Sequence, residues 1–278
     1  MKKNSIVSII LSGILAVSLV GCGGVATTSS NSENNKNDKV IKIGVSPEPH
    51  KKIVDAAVPV LEKEGYKVEI TEFNDYVLPN TSLSEGELDA NYFQHTPYLN
   101  EQNESRHLNL VSAGAIHLEP MGLYSKKIKS LDEIKDGATI AVPNDPSNEA
   151  RALKLLAVNK LIELKEGELV TPADIISNPK NIKFTELEAA AVPRSVDDVE
   201  AAVINSNYAI PAGFNPTKDS IVIEDKNSEA AKPYANIVAV RSDDEGSEKI
   251  KALVKALQSD EVKDFINKEY DGAVIPVF

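Results

Sequence analysis

Residues 40 to 71 constrain the fold more than any other part of the chain. Val40 to Val45 (VIKIGV) alternates apolar and polar positions and then meets Ser46-Pro47, the pattern of a strand running into a loop. From His50 to Glu64 the apolar residues fall at Ile53, Ala56, Ala57, Val60 and Leu61. That spacing gathers them on one face of a helix, and Gly65 stands where a helix ends in a residue of positive φ. Lys67 to Thr71 (KVEIT) reads as a second strand. Strand, helix and strand with short links form a βαβ unit, which predicts an α/β sheet.

The pattern returns later. Ala138 to Val142 is a predicted strand, followed by a Pro-bounded loop and a helix that starts with Ser147 as N-cap and runs to about Asn159. Further short strands are predicted at Ile182 to Glu186, Ala201 to Ile204, Ser220 to Ile223 and Asn236 to Val240, with helices at Ser247 to Gln258 and Asp260 to Lys268. No internal sequence repeat links the two βαβ-rich halves. The expectation is two α/β lobes, with crossings near Leu123 to Lys126 and Lys232 to Asn236. Residues 39–122 and 233–278 then make the first lobe and 123–232 the second, with the ligand site in the cleft between them.

The first 38 residues belong to none of this. Lys2 and Lys3 precede an apolar run from Ile6 to Val20 that is short of the ~20 residues a membrane-spanning helix needs. The run suits a signal peptide over 1–21, ending in Leu19-Val20-Gly21-Cys22, a match to the lipobox of bacterial lipoproteins. Cys22 is the only cysteine in 278 residues, which excludes an internal disulfide and a Cys-based zinc site or nucleophile in the folded part. Residues 22–38 hold little that packs and read as a lipidated, solvated tether. The net charge of −12, roughly −14 once the leader lysines are removed, argues against nucleic acid as a partner.

Motifs for covalent chemistry are missing: no G-x-S-x-G, P-loop, H-E-x-x-H or G-x-G-x-x-G occurs, and the carboxylate pairs read as solvated faces. His50, His95, His107 and His117 form no tract with metal-ligand spacing, so neither metal nor cofactor is expected. Two stretches suit a small ligand. Ser147-Asn148-Glu149-Ala150-Arg151 opens a helix after the loop, where free N–H groups and a guanidinium suit a carboxylate, unless Arg151 only lies over the helix surface. Residues 91–98, NYFQHTPY, concentrate three of the fourteen Phe and Tyr residues. Thr96 and Pro97 are the expected N-cap and first turn of a helix. Phe93 and His95, two apart in an extended segment, face one side and make either a ligand wall or a packing knot, while Tyr92 faces the core.

The lipobox, ELDANYFQHTPYL, HLEPMGLYS, VPNDPSNEAR, VINSNYA and YANIVAVR together resemble the NlpA family of methionine-binding lipoproteins, from Val40 to Phe278. The resemblance implies a type II periplasmic-binding-protein fold, α/β in two lobes, that delivers L-methionine to an ABC permease and its ATPase. It further implies a monomer without enzymatic activity, anchored through Cys22 at the outer side of the cytoplasmic membrane. Carried over by motif, Tyr76, Phe93, His95 and Tyr98 shape the side-chain pocket and Arg151 clamps the carboxylate. Asn205 and Asn236 hydrogen-bond the zwitterion, and Glu119 is the candidate partner of the ammonium. A methionine-containing dipeptide, D-methionine, another apolar amino acid or a role as surface adhesin are the alternatives. The resemblance implies a small or Gly residue somewhere before the Arg of NDPSNEAR, and Glu149 either alters the carboxylate site or points to solvent.

Overall fold

A computed structural model describes residues 39–278. The expected leader, Cys22 and the tether lie outside the described residues. In chain order the first strands are β1 (Val40–Val45), β2 (Lys67–Glu72), β3 (Ala90–His95) and β4 (Leu110–Leu118). Next come β5 (Gly122–Tyr124), β6 (Thr139–Pro143), the ribbon pair β7 (Glu163–Leu164) and β8 (Ile175–Ser177), then β9 (Lys183–Leu187), β10 (Ala201–Ile204) and β11 (Val222–Ile223). The chain closes with β12 (Ala235–Arg241) and β13 (Ile275–Pro276).

Two main sheets result among the described residues. One has the order β13-β4-β12-β3-β1-β2 and the other β11-β5-β10-β6-β9. The same topology underlies both. A parallel trio is arranged second-first-third (β2-β1-β3 and β9-β6-β10), and an antiparallel strand, β12 or β5, lies against the third. Each antiparallel neighbour is a strand that has just crossed from the other sheet, so the lobes are tied by two chain segments side by side. The first crossing is only Glu119–Met121, between β4 and β5. Leu123 and Tyr124, expected in the crossing, are instead fully buried in the second sheet. The return runs through 224–234 into β12.

The predicted elements form for the reasons read from their patterns. Ile41, Ile43 and Val45 of β1 pack on Ile53, Ala57 and Leu61 of the helix Lys52–Lys63, together with Ile250, Leu253 and Ile266 of the two C-terminal helices. Each fully buried Val, Leu or Ile among these contributes about 1.5–3 kcal/mol. The C-terminal helices Glu248–Leu257 and Asp260–Tyr270 therefore pack on the first sheet. The second lobe has its own core around Ile140, Val142, Leu153, Leu156 and Val203. Gly65 has φ +83°, which fits its place after the first helix.

Two expected helix caps are corrected. Asp145, not Ser147, caps the helix Pro146–Val158, its carboxylate accepting the Asn148 N–H at 3.0 Å. A carboxylate is the stronger acceptor, and the Ser147 hydroxyl itself donates to it at 3.1 Å. The helix Thr96–Arg106 is capped by His95 rather than Thr96, the ring Nδ1 accepting the Tyr98 N–H at 3.2 Å. That acceptor role requires a neutral imidazole.

Candidate functional site

The strand order places the ends of β3, β4, β6 and β10 and the start of β12 along one edge facing the other lobe. His95 ends β3, Glu119 follows β4, Asn205 follows β10 and Asn236 lies at the start of β12. Arg151 sits in the second turn of the helix that follows β6. Tyr76 reaches in from the loop after β2, and Phe93 and Tyr98 flank His95. All eight line one small cavity between the lobes. Asn148, Asn207, Ser206 and Gln94, which sequence reasoning did not select, line it too.

One wall is aromatic. Tyr76, Phe93 and Tyr98 meet with ring centroids 5.6–5.9 Å apart, the tilted and edge-on contacts that aromatic quadrupoles favour. The alternation of β3 sends Phe93 and His95 to the cavity and Tyr92 into the first core, where it is fully exposed to neither solvent nor ligand. NYFQHTPY is thus both a wall and a packing knot. Its Asn91 and Gln94 hold Asn80 in a buried amide network.

The polar side is a set of hydrogen bonds that stops short of completion. His95 Nε2 donates to Asn148 Oδ1 at 3.2 Å, and the same oxygen accepts from Asn205 Nδ2 at 2.7 Å. Burial, and then the nearby Arg151 charge, lowers the His95 pKa to about 3, so the ring is neutral. Tyr76 donates to Asn207 Oδ1 at 2.6 Å and bridges the lobes. What remains without a protein partner is Glu119 Oε2, Asn205 Oδ1 and Asn207 Nδ2, all buried. Unpaired buried polar atoms are costly, and three in one cavity describe the ligand's complementary chemistry. The two oxygens accept from a donor such as an ammonium, and the amide N–H donates to an acceptor such as a carboxylate.

Arg151 is buried, and Glu224, which sequence reasoning missed, accepts from it at both ends. Nε donates to Oε1 at 2.7 Å and Nη2 to Oε2 at 2.6 Å, while Nη2 also donates to the Glu119 carbonyl at 2.8 Å. The guanidinium stacks on Tyr234 at 4.3 Å from the ring centroid. Arg151 therefore does not snorkel over the surface. It is held against the second crossing and lines the cavity. No signal in the sequence singled out Glu224, one more acidic residue in an acidic chain, 73 positions away.

Glu119 is equally constrained. Its Oε1 accepts from His117 Nε2 at 2.8 Å and lies 3.4 Å from His50 Nε2, which also donates to Asn236 Oδ1 at 2.9 Å. Tyr92 hydrogen-bonds His117 Nδ1 from the core side. The tautomers this network requires point N–H groups at Glu119. Burial raises the Glu119 pKa to about 7, against the lowering influence of His50 and Arg151. Glu149 is buried but does not line the cavity, and burial followed by repulsion from Glu186 and Asp145 holds its pKa up at about 7.

Two lobes of like topology, joined by paired crossings and meeting over a small cavity with one aromatic and one zwitterion-matching wall, define a binding protein of the type II periplasmic class. Residues 41–278 match the family model for the NlpA lipoprotein. The D-methionine-binding lipoprotein MetQ of Salmonella typhi is 46% identical over 265 residues, covering 94% of this chain and 93% of that protein. The methionine-binding lipoprotein MetQ of Bacillus subtilis (strain 168) is 42% identical over 268 residues, covering 94% and 97%. Among solved structures, a nutrient binding protein from Burkholderia cenocepacia bound to methionine superimposes with a TM-score of 0.82 at 49% identity, covering 86% of this chain and 100% of that one. This chain belongs to the NlpA lipoprotein family.

Proposed function

We propose that this protein captures free methionine between its lobes and hands it to an ABC importer. The observation that carries the reading is the trio Glu119 Oε2, Asn205 Oδ1 and Asn207 Nδ2, opposite Tyr76, Phe93 and Tyr98 and beside Arg151. In this reading the ammonium sits on the two oxygens. The carboxylate takes Arg151 Nη1 and Asn207 Nδ2, with Asn236 and the His95–Asn148 pair holding the frame. The thioether lies on the aromatic edges, each contact worth about 0.3–1.5 kcal/mol.

The mechanism is capture and closure, with no bond made or broken. Lobes tied by short crossings rotate as rigid bodies, and the Tyr76–Asn207 and His95–Asn148 contacts span the closed cleft. We assign residues 39–118 and 235–278 to one lobe and 122–223 to the other. The lipobox and the lipoprotein names of the relatives support an anchor at Cys22, from which a monomer meets its permease and ATPase on the outer side of the membrane. Calorimetry on tether-free protein, refolded to strip bound ligand, tests the reading: no heat with L-methionine would end it. A second reading, D-methionine, is favoured by the name of the Salmonella relative. Parallel titrations with each enantiomer separate the two.

A further inference from the structure

Glu119 does not meet a ligand alone. Behind it stands a buried file of side chains from three parts of the first lobe. Tyr92 of β3 reaches His117 of β4, His117 reaches Glu119, and His50, from the turn Pro47–Lys51 ahead of the first helix, reaches the same carboxylate oxygen. His50, Tyr92 and His117 are fully buried and pack edge to face, with ring centroids 4.8–5.3 Å apart. His50 and His117 do not line the cavity. They face it only through Glu119 and, for His50, through Asn236.

The tautomers follow from the partners. The Tyr92 hydroxyl is a donor to His117 Nδ1, so the His117 proton is on Nε2 and points at Glu119 Oε1. His50 Nε2 faces two oxygens, Asn236 Oδ1 and Glu119 Oε1, and must also carry a proton. His117 therefore spends its N–H on Oε1, the His50 N–H goes to Asn236 Oδ1 with Oε1 3.4 Å away, and Oε2 is the oxygen left for a ligand.

We propose that His117, fixed by Tyr92, and His50, fixed by Asn236, are positioning residues that hold Glu119 as an anion with one free oxygen and thereby make the site select ligands carrying a charged α-amine. This rests on the reading of Glu119 as the ammonium partner. The logic is electrostatic. A protonated histidine here would cancel the Glu119 charge and repel an ammonium. Burial prevents that, holding the His50 and His117 pKa values down at about 4 and about 3. Two neutral rings supply dipoles that favour the carboxylate and leave its negative charge to the ligand.

Proton linkage follows. Glu119 is held at about 7 in the ligand-free protein, chiefly by desolvation, and an ammonium against Oε2 favours its ionised form. Binding thus releases a proton, and affinity falls as pH drops through that value. The other groups facing Glu119 do not compete for the proton. Glu48 is paired with Lys52 at 2.6 Å and Arg151 with Glu224. Tyr76, Tyr92 and Tyr270 are pushed upward by burial and stay neutral.

The test is calorimetry of the ligand-stripped protein between pH 5.5 and 8.5 in buffers of differing ionisation enthalpy, with L-methionine and its des-amino analogue 4-methylthiobutanoate. Wild type is expected to release roughly half a proton per methionine near pH 7 and to weaken about tenfold per pH unit well below it. His117→Leu should raise the midpoint by about one unit and weaken methionine about fivefold at pH 7 while sparing the analogue. His117→Gln, which keeps an N–H, should restore much of the loss. An unmoved midpoint in folded His117→Leu, or equal losses for both ligands, overturns the proposal. Nitrogen-15 spectra of wild type give a readout independent of variant folding: His117 protonated on Nδ1, or titrating near 6.5, also overturns it. Glu119→Gln binding methionine like wild type would refute the underlying ammonium assignment instead, whatever the histidine variants do.

Discussion

Removing Arg151 is expected to damage the fold as well as binding. From sequence alone Arg151→Ala reads as a loss of ligand contact in an intact protein, and the ion pair with Glu224 changes that outcome. The Arg151 side chain is 4% exposed and that of Glu224 14%. Arg151→Ala leaves Glu224 with the Met121 N–H, at 2.8 Å, as its remaining donor. Breaking a buried pair from one side costs about 3–5 kcal/mol, a large share of a typical total of about 5–15 kcal/mol. Glu224→Gln should cost less, because the guanidinium keeps the Glu119 carbonyl and Tyr234 and the amide still accepts. The double variant Arg151→Ala/Glu224→Gln should then be more stable than Arg151→Ala. The assay is urea unfolding of methionine-free protein followed by circular dichroism, read as midpoint shifts at constant slope and combined as a double-mutant cycle. Binding adds an independent arm. Losing a charge-assisted contact of about 1.5–3 kcal/mol should weaken methionine roughly 10- to 150-fold in both variants lacking Arg151. Additive stability losses, with coupling below about 0.5 kcal/mol, would refute the buried-pair argument.

Phe93→Ala should weaken methionine at least about tenfold more than alanine, since it removes side-chain contact and not zwitterion contact. Equal losses in calorimetry would make Phe93 purely structural. Tyr76→Phe removes the 2.6 Å bond across the cleft; about 0.5–1.5 kcal/mol of affinity should go. Stopped-flow measurements should find the loss in dissociation, and a change confined to association would contradict a latch. Stability should also depend on His117. Its folded pKa, about 3, lies below the ordinary 6.5, so its contribution is full above pH 6.5 and is lost as pH falls through the folded value. His117→Gln should therefore lose about 2–3 kcal/mol less than wild type between pH 6.5 and 4.5. Parallel urea curves at the two pH values would contradict the neutral buried ring.

Local pattern was enough for the elements. Alternation in VIKIGV, the apolar face of the helix after it and the glycine at its end are nearest-neighbour properties, and the structure has them within a few residues. The residues carried over by motif line one cavity, because a motif's side chains leave one short segment together. Its capping chemistry was less legible, since Asp145 and His95 won over Ser147 and Thr96 by acceptor strength and ring geometry. What tertiary structure alone decided is how each charge is answered. Glu224 meets Arg151 across 73 residues, and His50 meets Asn236 across 186. Tyr92 and His117 join only because β3 and β4 flank β12. Hydrophobic periodicity is written along the chain, whereas the partner of a buried polar group is chosen by which strand ends the fold brings to one edge.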